Sequence, residues 1–88
     1  MMEHMATRDW QLEDFAEATL TEGVEIRLSL DGDTCLIIYP WYFVPREVQP
    51  AVERAMSMGF TTITEMGNLY PYPITDVDND ADYILLEH

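Results

Sequence analysis

The sequence predicts an α+β domain: a two-layer sandwich in which one mostly antiparallel four-stranded sheet carries two helices, in the order αββαββ. Three observations predict it. Leu12, Phe15, Ala16, Thr19 and Leu20 repeat at i, i+3, i+4, i+7 and i+8, the stripe of an amphipathic helix. Val24, Ile26, Leu28 and Leu30 alternate with Glu25, Arg27 and Ser29, the period of a half-buried strand. Tyr83-Ile84-Leu85-Leu86 is a short apolar run of strand length.

The first helix is placed at about 8–22, with Thr7 as N-cap, Asp9 in the first turn and Gly23 as its stop. Strand 24–30 then meets Asp31-Gly32, a two-residue hairpin signal, and returns through Thr34-Cys35-Leu36-Ile37-Ile38-Tyr39. Pro40-Trp41-Tyr42-Phe43-Val44-Pro45 is a loop by its prolines and a piece of core by its aromatics. A helix follows and ends at Gly59. Pro50 costs about 3 kcal/mol in a helix interior, so it is placed near the first helical position, after a turn at 45–49. Val52, Ala55 and Met56 are expected to face inward. Phe60–Met66 reads as a strand, Gly67-Asn68 as a turn, Leu69–Ile74 as an extended segment, Asp76–Asp82 as an acidic loop, and Tyr83–Leu86 as the last strand. The 88 residues make one domain, residues 1–88, large enough for one modest core. Residues 1–7 and 86–88 have the look of cloning-site and tag remnants.

Charge sets the functional expectation. Seventeen Asp and Glu oppose four Arg and no Lys, a formal net charge of −13. Residues 9–25 hold six of the carboxylates and 76–88 hold five, with no Arg or Lys in either stretch. Such a field repels itself, anionic lipid and nucleic acid, and attracts a basic partner. The hydrophobic content of 48% argues for a folded chain despite the charge. One cysteine, Cys35, allows no internal disulfide and suits a reducing, cytoplasmic setting. The first ten residues lack the apolar run of a secretory signal. The longest apolar stretch, Leu36–Val44, is short for a membrane span and broken by Pro40.

The two acidic runs have different geometry. On a helix, Asp9, Glu13 and Glu17 lie on one face about 6 Å apart, with Asp14 beside them. In an extended chain, Asp76, Asp78, Asp80 and Asp82 share a face at about 6.6 Å intervals. Both rows approximate the phosphate spacing of a nucleic-acid strand. The expected function is therefore an inhibitory binding protein. It occupies the basic nucleic-acid-binding surface of a partner, a nucleic-acid-binding enzyme or complex, through Asp9, Trp10, Glu13, Asp14, Glu17, Asp76, Asp78, Asp80 and Asp82. In composition and size the chain is similar to phage counter-defence proteins of the anti-CRISPR and anti-restriction kinds and to nuclease-immunity proteins. Trp10 is either an exposed anchor within the acid or a ring folded over the sheet edge. Trp41-Tyr42-Phe43 and Tyr70-Pro71-Tyr72-Pro73 are either lids on the core or a contact patch.

Two alternatives stay open. Asp76, Asp78, Asp80, Asp82 and Glu87 stand at the first, third, fifth, seventh and twelfth places of a loop that resembles the calcium loop of EF-hand proteins. The resemblance implies a Ca²⁺ site there, but Ala81 stands where that loop has glycine. The other alternative is a non-catalytic adaptor domain using the aromatic and proline surface. No cofactor and no enzyme activity are expected. His4 and His88 sit near the chain ends, Cys35 lies mid-strand without a histidine partner, and neither a glycine-rich phosphate loop nor a zinc-ligand spacing is present.

Overall fold

A computed structural model describes residues 10–16, 19–69 and 81–88. The class is α+β with an antiparallel sheet, as the sequence predicts, but among the described residues the sheet has five strands and carries one α-helix. A 3-10 turn at Leu12–Asp14 opens the described chain. It is followed by β1 (Thr19–Thr21), β2 (Val24–Leu28), β3 (Thr34–Pro40), α1 (Pro45–Ser57), β4 (Thr62–Leu69) and β5 (Ala81–Glu87). The strand order is β1-β2-β3-β5-β4, and every neighbouring pair is antiparallel. β5 thus enters between β3 and β4, which run parallel to each other on either side of it.

The first expected helix is not formed. Gln11 and Phe15 are extended on either side of the 3-10 turn, and Thr19, Leu20 and Thr21 pair with Ile26, Glu25 and Val24. The chain turns at Glu22-Gly23, both with positive φ (50° and 84°), as a type I′ hairpin turn requires. Gly23, expected to stop a helix, closes a hairpin instead.

The second hairpin stands where it was expected, with a longer turn. Leu28 pairs with Cys35, and the Ser29 N–H donates to the Thr34 carbonyl at 2.9 Å, leaving Leu30–Asp33 as a four-residue loop. The Asp31 carboxylate closes it, accepting from the Ser29 hydroxyl (2.7 Å) and the Asp33 N–H (3.0 Å).

α1 begins at Pro45, five residues before the expected start. Pro45 occupies the first helical position, where its missing N–H costs nothing, and the Glu47 carboxylate accepts the N–H of the N-cap Val44 at 3.0 Å. Pro50 therefore lies inside the helix, on its exposed side. Val48, Ala51, Val52 and Ala55 are buried, whereas Met56, expected inside, is exposed. Gly67-Asn68 is part of β4 rather than a turn. Gly67 lies opposite Tyr83, and a Cβ there would stand 2.9 Å from the Tyr83 hydroxyl.

Both faces of the central strands are buried. On one face Val24, Ile26, Cys35, Ile37, Ile84 and Leu86 pack under α1 with Phe60. On the other, Leu36, Ile38, Tyr83 and Leu85 pack with Trp10 and Phe15. The N-terminal segment is thus a third layer, where the sequence implied two. The closing residues are built into the sheet. Leu86 is fully buried, Glu87 ends β5, and the His88 ring stacks on Phe60 at 4.5 Å.

Candidate partner-binding surface

The N-terminal segment explains where the acid goes. Trp10 is 8% exposed. Its ring meets Phe15 and Tyr83 edge-on, with centroids 5.6 and 5.1 Å away. Its indole N–H points to a Glu65 carboxylate oxygen at 3.4 Å, and the Tyr83 hydroxyl donates to the same oxygen. Trp10 is therefore a core residue that pins the segment to the sheet, not a surface anchor. With the ring turned inward, Glu13 and Asp14 are left facing solvent. Asp14 accepts the Gln11 N–H at 2.9 Å and so closes the 3-10 turn.

Glu13 lies in a single 3-10 turn between extended Gln11 and Phe15, not on the face of an α-helix. Asp9, Glu17, Asp76, Asp78 and Asp80 lie outside the described residues. Asp82 lies in β5, half-buried, where it accepts from the Asn68 side-chain amide at 3.0 Å. Burial raises the Tyr39 phenol above its ordinary pKa, and the Asp82 charge adds to that rise. Glu87 stands at the other end of the same strand, about 16 Å from Asp82 at the usual strand rise, so these two carboxylates do not converge on one ion. Among the described residues no three His, Cys, Asp or Glu side chains gather as a metal site.

The fold makes an acidic surface from residues far apart in sequence. The Leu30 N–H donates to the Asp14 carbonyl at 2.9 Å, and Phe15 forms a β-bridge with Ser29. This sets the 3-10 turn against the tip of the β2–β3 hairpin. Glu13 and Asp14 from the turn, and Asp31 and Asp33 from the tip, are all exposed. Asp14 and Asp31 line one shallow depression with Leu30. Neither segment, 10–16 or 29–34, contains a base. The hydrogen bonds from Ser29 and Asp33 hold the Asp31 carboxyl below its ordinary pKa, so its charge persists to lower pH. Asp31-Gly32-Asp33 was legible as a turn; its place beside Asp14 depends on a long-range pairing that spacing does not reveal.

A second feature is the loop after β3. Phe43 is partly buried against the core, but Trp41 and Tyr42 are 51% and 53% exposed, their rings edge-on at 5.7 Å. The lid reading holds for Phe43, and Trp41 and Tyr42 offer contact surface. Cys35 is fully buried, and burial pushes its thiol up to about 11. The His88 ring nitrogens face the Gly59 and Gly32 carbonyls at 3.1 and 3.2 Å.

No protein-family model, curated protein or solved structure matches this chain.

Proposed function

We propose that the protein is an acidic inhibitory binding protein that occupies the basic, nucleic-acid-binding surface of a partner protein. The observation that carries the reading is the joining of Glu13 and Asp14 to Asp31 and Asp33 by the Leu30–Asp14 hydrogen bond, within a chain of net charge −13 and no lysine. The Asp14 and Asp31 carboxylates, held by their turns, lose little freedom on docking, and the field of all four speeds encounter with a surface rich in Lys and Arg. Inhibition would follow from occlusion, the partner's phosphate contacts being taken by carboxylates. In composition and size the chain is similar to counter-defence and nuclease-immunity proteins.

The test is a pull-down from host lysate at low and high salt, with retained proteins identified. A basic nucleic-acid-binding protein retained at low salt and lost at high salt is the expected result. The variant Glu13→Lys/Asp33→Lys, which changes two side chains that close no turn, should abolish that retention.

The exposure of Trp41 and Tyr42 favours a second reading, an adaptor domain that docks through its aromatic surface. Trp41→Ala would then abolish retention while the double lysine variant retained it, and salt would matter little.

A further inference from the structure

The two edges of the sheet are unequal. β1 has three residues, a short edge of the kind that discourages pairing. β4 has eight, Thr62–Leu69, and among the described residues no strand pairs with its outer side. The usual protections of an exposed edge are few here. β4 contains no Lys and no Pro, and its one Glu, Glu65, is turned to Trp10 and Tyr83. A register shift between Ile63 and Glu65 irregularises the start of the strand and leaves Glu65–Leu69 regular. On the α1 face of the sheet the helix packs mainly on β2 and β3. Ile63 and Met66, paired with Leu86 and Ile84 on that face, are 46% and 63% exposed.

An apolar patch alone does not say what covers it. Over residues 62–67 no backbone group among the described residues pairs with the outer side of β4, and such a row of donors and acceptors is more specific than an apolar patch, because the protein group that matches it is another extended chain. The charge then selects the chain. A second copy would bring a further −13 against an equal charge. A basic strand would be attracted. Glu87 stands one strand inward, opposite Thr62 and on the face away from α1, the face to which an added strand turns its basic side chains when its apolar ones lie over Ile63 and Met66. A strand added outside β4 would run about 10 Å from β5, within reach of long Lys and Arg side chains.

We propose that the outer edge of β4 accepts an extended basic segment of the partner protein as a sixth strand, with its apolar side chains over Ile63 and Met66. This rests on the reading that the partner is basic, and it adds the mode of contact.

The probe is a labelled ten-residue peptide of alternating Arg and Val, titrated into the full chain at low salt and followed by fluorescence anisotropy. Its control is the same peptide N-methylated at alternate residues, which keeps the charge and removes backbone donors. The unmodified peptide should bind, and N-methylation should weaken it by about tenfold or more, since main-chain hydrogen bonds supply much of the affinity in strand addition. Met66→Lys and Ile63→Lys, both at exposed positions that tolerate a polar side chain, should weaken the unmodified peptide by a similar factor. Equal binding of both peptides would overturn the edge site and leave the basic-partner reading standing. Failure of both peptides to bind at low salt would count against both readings. A dimer seen by light scattering and abolished by Met66→Lys would assign the edge to a second copy and overturn the proposal.

Discussion

The two tryptophans show how differently one residue type is used. Trp10 is buried among Phe15 and Tyr83, with its N–H directed at Glu65. Trp10→Ala should cost about 3–5 kcal/mol, the range for large-to-small changes in a core. In a domain of this size that lowers the melting temperature by well over ten degrees. Trp41 is half exposed and edge-on to Tyr42, so Trp41→Ala should cost clearly less stability than Trp10→Ala and be felt in partner binding as well. Thermal melts of the two variants, side by side, check both. The sequence left both roles open for each ring, because exposure depends on what the remote Glu65 and Tyr83 bring to the site. Asp31 gives a pH dependence at the same scale. Its carboxyl is held below the ordinary value of 3.8 by Ser29 and Asp33 in the folded protein. The folded pKa being depressed, its contribution is present above pH 3.8 and is lost as pH falls below that value. Asp31→Asn should flatten the acid limb of a stability–pH curve in that window.

At the scale of elements, patterns that report burial were legible and patterns that report only spacing were not. Leu28 and Leu30, which continue the β2 alternation, are exposed, whereas Val24 and Ile26 of that alternation, and the apolar runs of β3 and β5, correspond to side chains in the core. Their location follows from the area they remove from water, which holds in any topology. The stripe of Leu12 and Phe15 fits one turn of any helix, and a single 3-10 turn satisfies it. Gly23 is ambiguous in the same way, since positive φ serves both a helix stop and a hairpin turn. The hairpin reading makes Glu22 the strained member, at φ 50°. Glu22→Asn, giving the favoured Asn-Gly turn, should stabilise by about 1 kcal/mol in chemical denaturation, since Asn tolerates the left-handed region. Pro50 is the second strained point. Inside α1 it removes the N–H that would meet the Arg46 carbonyl, so Pro50→Ala should raise stability by about 2 kcal/mol once the looser unfolded chain is discounted. A loss of stability on this change would mean that Pro50 is not within the helix.

For the whole molecule, charge acts on folding and on binding with opposite signs. The net charge of −13 is confined to a body whose Cα radius of gyration is 12.5 Å, so like charges stand within a Debye length of one another at low salt. Unfolding relieves that repulsion, and added salt screens it. Stability should therefore rise as ionic strength goes from about 0.01 to 0.15 M, where the screening length falls from about 30 to 8 Å. Association with a basic partner is attraction through the same field, and over the same interval it should weaken. Melting temperature and partner affinity, measured across one salt series, should thus move in opposite directions. If affinity rises together with melting temperature, apolar contact at Trp41, Tyr42 or the β4 edge outweighs charge in binding. If melting temperature does not rise, the carboxylates are too far apart or too well paired to strain the fold. The variant Glu13→Lys/Asp33→Lys separates the two effects, because it lowers the net charge by four units without touching the core. It should be at least as stable as the parent at low salt and bind less.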